Sequence, residues 1–193
     1  SILLALVIGL ITGLGRISKV TLVNRIATIY VEVIRGIPLL VQLFYIYYAL
    51  GRFFTVPRLT AAIIAMSVCY GAYMGEIFRA GILSIPRGQM EAALALGMSR
   101  RQAIRLVILP QTFRVILPPV GNEFIALLKD SSLVSILAVS DLLRRGREFA
   151  SVSFRYFETY TMVALCYLVL TLFFSKLVAV MEERLEKRGS RNS

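Results

Sequence analysis

The stretch Tyr160–Met181 carries one charged residue, Lys176, in a run that is otherwise apolar or weakly polar. About 20 such residues cross the hydrocarbon of a bilayer as a helix. Four earlier blocks share this character: Ser1–Gly15, Ile26–Leu50, Leu59–Phe78 and Leu117–Val139. In lipid the backbone has no water to bond to, which restricts spanning segments to helices and closed barrels. The expected fold is therefore an all-α integral membrane protein with about five transmembrane helices, one domain over residues 1–193. The chain is 58% hydrophobic, and soluble domains hold about 45–50% apolar residues. No room is left for a soluble enzyme domain beside the spans. Ser1–Gly15 lacks the charged start of a signal peptide. It reads as the second half of a span, with the expectation that the native polypeptide extends upstream.

The net charge of +11 would suggest nucleic acid in a soluble protein. Here the basic residues sit in the loops, and the lipid bilayer rather than nucleic acid is the expected partner. With the first span running inward, Arg16, Lys19, Arg25, Arg35, Arg79, Arg87, Arg100, Arg101, Arg105, Arg114, Arg184, Lys187, Arg188 and Arg191 fall inside. Arg52, Arg58, Arg144, Arg145, Arg147 and Arg155 fall outside. The bias places the C-terminus in the cytoplasm. Histidine is absent and the two cysteines, Cys69 and Cys166, lie in apolar blocks. No Ser–His pair or metal cluster can be assembled, and the cysteines read as buried thiols. No GxxxxGK[ST] loop is present either.

Two spans are interrupted. Gly36 and Pro38 break the second, with Glu32 and Arg35 nearby. Pro118, Pro119 and Gly121 precede a fourth span that carries Glu123, Lys129 and Asp130. Interrupted helices build midplane sites in transporters. The alternative is that the polar half of the fourth span lies at the interface.

Residues 86–110 between the third and fourth spans are too polar to cross. Pro86 and Gly88 signal a helix start, and Glu91, Ala92, Ala93, Leu94, Ala95 and Leu96 are mostly strong helix formers. Gly97 ends or turns that helix. A second run, Ser99–Leu109, alternates arginines with aliphatics, and Pro110 is expected to stop it. Two readings compete: an amphipathic helix anchored to anionic lipid, or a knob that docks into a cytoplasmic partner.

The order Glu91-Ala92-Ala93, then Gly97, then Leu109-Pro110 resembles the EAA loop of ABC importer permeases, EAA-x3-G-x9-I-x-LP. Val107 stands in place of the isoleucine, a nearly volume-conserving change. Arg35–Gln42, Gly75–Ile82, Asn122-Glu123-Phe124 and Lys129–Leu133 are similar to further signatures of the polar amino acid branch. The resemblance covers nearly the whole chain and extends to the type I permeases of histidine, arginine and glutamine importers. It implies a type I fold in the bacterial inner membrane, with a cytoplasmic coupling helix at residues 86–110. Two permease subunits would pair, as a homodimer or heterodimer, over a dimer of ATP-binding cassette subunits. Those subunits, not this chain, would hold ATP and Mg. An extracellular or periplasmic amino-acid-binding protein, or a fused domain upstream, would deliver the substrate.

The resemblance makes Glu91, Ala92, Ala93, Leu94, Gly97, Met98 and Ser99 the coupling residues. Glu91 would cap or pair at the docking surface. For the substrate pathway the candidates are Asp130, Ser131, Ser132, Cys69, Tyr70 and Gln42. An intramembrane carboxylate points to function. Asp130 either meets an ammonium or guanidinium or pairs with Lys129 or another arginine. A basic amino acid is the mildly preferred cargo. Glu76 and Glu123 read as structural, paired with Arg79 or another arginine. The rival readings are a secondary transporter or channel subunit, which needs an inverted repeat or pore ring, and a membrane scaffold that recruits an ATPase without transporting.

Overall fold

The computed structural model describes residues 1–190, and no strand forms among them. Arg191 lies outside the described residues. Helix α1 is Ile2–Ile17, α2 Thr21–Gly36, α3 Leu39–Phe53 and α4 Arg58–Leu83. Then come α5 Arg87–Ala95, α6 Arg100–Ala103 and α7 Leu109–Asp130. Last are α8 Leu142–Ser153 and α9 Tyr156–Ser190. Among the described residues three helical stretches are long and apolar enough to cross a membrane: Arg58–Leu83, Arg100–Leu137 and Tyr156–Leu185. The bent pair α2–α3 makes four. With three to four such spans among the described residues against the expected five, the first expected block is the shorter apolar helix α1, of 16 residues. At 1.5 Å per residue α1 spans about 24 Å, short of a hydrocarbon core of about 30 Å.

The second span is not one helix. Axes of α2 and α3 meet at 109°. Ile37 precedes Pro38, and the proline ring disfavours the helical region for the residue before it. Ile37 is accordingly extended, with φ −110° and ψ 130°.

The fourth span starts far earlier than its apolar composition suggests. Arg100 to Leu137 is one run of 38 helical residues. It joins α6, a π turn at Ile104–Ile108, α7 and a 3-10 stretch at Ser131–Leu137. Pro110 therefore does not stop a helix. It sits inside the run, at the second residue of α7 directly after the π turn. The run ends at Ala138, in the left-handed region at φ 59°, so Val139 lies beyond the span.

Helix α8 was not expected from the sequence. Asp141 caps it, accepting from the backbone N–H of Arg144 at 2.9 Å and of Leu143 at 3.3 Å. Hydrogen bonding from Arg144, with Arg145 nearby, holds the Glu148 carboxyl below its ordinary value.

Lipid gives helices no hydrophobic drive to associate, so close approach of small residues takes over. α4 is the helix the others surround. Ala61, Ala62, Ala65, Ala72 and Met74 on it are buried. Gly9 and Gly13 of α1 lie against Met74 and Gly75 of α4, and Gly71 of α4 lies against Ile8 of α1, so small residues set the approach on both sides. A Cβ on Gly9 would lie 2.4 Å from Met74 Cβ, and one on Gly13 would lie 2.8 Å from the Gly75 carbonyl. Polar bonds lock the same pair: the Glu76 carboxylate of α4 accepts from Arg16 of α1 and from Arg79. Tyr30 of α2 donates to the Val68 carbonyl of α4 at 2.6 Å. At the other end of the chain, Gly121 of α7 admits Val178 of α9, and Gly146 of α8 admits Val163.

The glycine contact is testable by size-exclusion chromatography in detergent. Gly9→Val forces α1 off α4 at a cost of about 1–3 kcal/mol or more and is expected to lose the monodisperse peak. Gly51→Ala, where a Cβ meets nothing within 4 Å, leaves the peak unchanged.

Candidate functional site

Two sites stand out, one at each kind of helix break. The first is the elbow between α5 and α6. The sequence Glu91–Ala95 favours helix, and α5 begins at Arg87 after Pro86. Its end is a complete Schellman stop. Met98 N–H bonds the Ala93 carbonyl at 3.2 Å, and Gly97 N–H bonds the Leu94 carbonyl at 3.0 Å. Gly97 holds φ +81°, open to glycine at little cost. The spacing from Ala93 to Gly97 is the spacing of that motif. Two residues later a new helix starts. Ser99 and Gln102 form a capping box, with Gln102 N–H to Ser99 Oγ at 3.3 Å and Ser99 N–H to Gln102 Oε1 at 2.9 Å.

The elbow presents an uneven face. Ala93 is buried against the second helix, while Leu96 is 81% exposed and Leu94 43% exposed. Glu91 is exposed in the middle of α5, so it does not cap that helix, and it has no ion pair among the described residues. The seven expected coupling residues thus stand together on one protrusion. Gln111 Nε2 donates to Gln89 Oε1 at 3.2 Å, tying α5 to the base of α7.

The second site is a cavity of about 500 Å³ between the α2–α3 break, α4 and α7. Its wall contains Arg35 through Leu39, then Cys69, Tyr70 and Tyr73, then Glu123, Ala126 and Asp130. Tyr70 Oη donates to Asp130 Oδ2 at 2.8 Å. Asp130 makes no salt bridge to Lys129 or to an arginine among the described residues. The Arg35 guanidinium lies 5.1 Å from the Tyr73 ring centroid, a cation–π contact.

Of the six expected pathway residues, the fold brings Asp130, Tyr70 and Cys69 into this wall. The other three do not line it. Gln42 is 4% exposed. Its Nε2 donates to the carbonyls of Ile34 at 2.7 Å and Ile37 at 2.8 Å, closing the broken end of α2. Ser131 Oγ turns back to the Leu128 carbonyl at 2.7 Å, and Ser132 is not among the lining residues. Glu76 is paired with Arg79 as expected, and with Arg16 as well. Glu123 forms no ion pair among the described residues and lines the cavity instead. Arg35, Tyr73 and Glu123 were not among the expected pathway residues. The available signal was an ionisable residue inside an apolar block, which applied to Arg35 and Glu123 as it did to Asp130.

A multi-pass helical bundle with a charged cavity beside a broken helix, and a helix–elbow–helix protruding from one end, defines a membrane permease. The chain belongs to the family described as binding-protein-dependent transport system inner membrane component, whose pattern matches residues 5–187. It is 42% identical to the probable amino-acid permease protein YxeN of Bacillus subtilis over 97% of this chain and 85% of that protein. It is 42% identical to the glutamine transport system permease protein GlnP of Escherichia coli K12, over 94% of this chain and 84% of that one. A crystal structure of an amino acid ABC transporter with histidines superposes with a TM-score of 0.86 at 45% identity, covering 95% of this chain and 88% of that chain. The fold is that of the type I importer permeases.

Gln42 supplies the test of the cavity wall. Gln42→Leu removes both side-chain bonds, leaving the Ile37 carbonyl without a donor and the Ile34 carbonyl with only the 3.5 Å bond from Ile37 N–H, at about 1–3 kcal/mol. Thermal unfolding in detergent is expected to shift to lower temperature. An unchanged transition would mean that the break does not depend on this amide.

Proposed function

We propose that this chain is the transmembrane subunit of an ATP-driven importer that carries polar amino acids into the cell by alternating access. The carrying observation is the elbow at Gly97. There the residues of the EAA pattern form a complete helix stop and restart, and they project an exposed Leu94–Leu96 corner. An amphipathic lipid anchor needs no such corner. A docking knob does.

The chain supplies no nucleotide loop, so hydrolysis belongs to a partner. Residues Glu91–Ser99 seat in a groove of an ATP-binding cassette subunit, and a second permease subunit pairs with this one over the ATPase dimer. Closure of the ATPase pair draws the knobs together. The run from Arg100 to Leu137 carries that movement to Asp130, about 45 Å away along a helix at 1.5 Å per residue. The wall of the cavity shifts with it. α7 leaves the knob side of the bundle and α9 returns, so the C-terminus lies on the same side as the knob. The basic bias of the loops makes that side cytoplasmic. A binding protein delivers cargo on the other face.

The cavity carries charges of both signs, Arg35 against Glu123 and Asp130. That set suits the carboxylate and ammonium of an α-amino acid. It relies less on a cationic side chain than Asp130 alone suggested. A secondary transporter has no use for a cytoplasmic elbow, and a scaffold has no use for a charged cavity.

Two substitutions separate the two sites. Gly97→Asp places a Cβ at φ +81°, costing about 1–2 kcal/mol of strain at the elbow. The protein is expected to stay in the membrane while the ATPase subunit no longer copurifies. Asp130→Asn is expected to lower uptake in proteoliposomes while the complex assembles normally. Copurification with Gly97→Asp, or full uptake with Asp130→Asn, counts against the respective assignment.

A further inference from the structure

The helix that joins the elbow to the span contains one residue too many. In an α-helix the ring of Pro110 meets the carbonyl of Leu106, four residues back, and that bond is lost. Here the turn before it is widened instead. Leu109 N–H bonds the Ile104 carbonyl, five residues back, across the π turn Ile104–Ile108. Side chains from the following turn cover carbonyls of the widened segment: Gln111 Nε2 donates to Val107 at 3.0 Å and Thr112 Oγ1 to Ile108 at 2.9 Å. None of the five π residues is buried, so core packing does not call for the extra residue. Nor does proline by itself, since α7 runs on through Pro118 and Pro119 without widening. The extra residue is specific to the junction between elbow and span, and π bulges are often found where function depends on local geometry.

We propose that Pro110 is a positioning residue. With the π turn it forms a phase joint that absorbs one residue and fixes the rotational setting of the α5 knob relative to α7. The effect on transport rests on the coupling role proposed above. The joint itself is a statement about geometry. Removing one residue from an α-helix rotates everything beyond it by about 100°, whereas removing the extra residue of a π turn leaves the two sides in phase. The proline then becomes the obstacle, because its ring meets the carbonyl four residues back in the shortened helix.

The Gln89–Gln111 contact at 3.2 Å records the phase. In a background carrying Cys69→Ser and Cys166→Ser, the pair Gln89→Cys and Gln111→Cys is expected to be bridged by a short bis-methanethiosulfonate reagent that spans two side-chain lengths, read as a gel shift. Deletion of Leu106, an exposed π residue, is expected to abolish that cross-link and, in the assembled transporter with its native residues at positions 69, 89, 111 and 166, uptake. Adding Pro110→Ala to the deletion is expected to restore both. Insertion of one alanine after Ala103, with Pro110 retained, turns the knob by a further ~100° and is expected to lose the cross-link. The proposal is overturned if the deletion alone keeps the cross-link, if Pro110→Ala fails to restore it in protein that still elutes as a single species, or if the alanine insertion leaves it intact. A deletion that loses the cross-link yet transports normally overturns the coupling reading and leaves the phase joint standing.

Discussion

Inside a bilayer every backbone carbonyl needs a donor from the protein, and the Gln42 amide meets that demand at the α2–α3 break. The α2–α3 break frees the end of α2 in the middle of an apolar region. One buried side chain donates twice, to Ile34 and Ile37. The break is therefore held at a fixed angle, and Arg35 through Leu39 form one wall of the cavity. The contrast with Gly97 follows from the same rule. There the turn is exposed and closes on its own backbone, without a borrowed side chain.

The remaining walls depend on how close α4 can come to its neighbours. Glycine stripes on α1 and α4 let the backbones touch, and the Arg16–Glu76–Arg79 group fixes their ends. That leaves α4 with no lateral freedom against α1. Tyr70 and Tyr73 are then presented to α7, where Asp130 and Glu123 face them. α7 contacts the rest through Gly81 and Ile116 on one side and Gly121 and Val178 on the other. It is also the helix that continues without interruption to the elbow. Within this fold Asp130 in the cavity wall and the α5–α6 elbow lie at the two ends of one helical run.

The sequence made the fold class legible because apolar blocks about 20 residues long leave few alternatives. The elbow was legible for a local reason. A Schellman stop depends only on residues within one turn, so Glu91–Gly97 announces it. What escaped is whatever depends on contact between distant segments. Gly9 and Gly71 are unremarked glycines until their helices meet. Gln42 reads as polar lining until the carbonyls of Ile34 and Ile37 turn toward it. Pro110 reads as a stop because single-residue rules place proline at helix ends, and a π turn five residues long does not show in composition. Helix α8 reads as loop in the sequence since its apolar face is small, with Gly146 and Ala150 its buried residues.

The account stands on the elbow as a protein-docking surface rather than a lipid anchor. A photo-activated cross-linker at Leu96, the most exposed apolar position of the elbow, tests it in the intact complex in native membranes. The account predicts a covalent adduct with the ATP-binding subunit, lost on removal of that subunit. Adducts with phospholipid alone, in a complex whose ATPase subunit is present and bound, would contradict it.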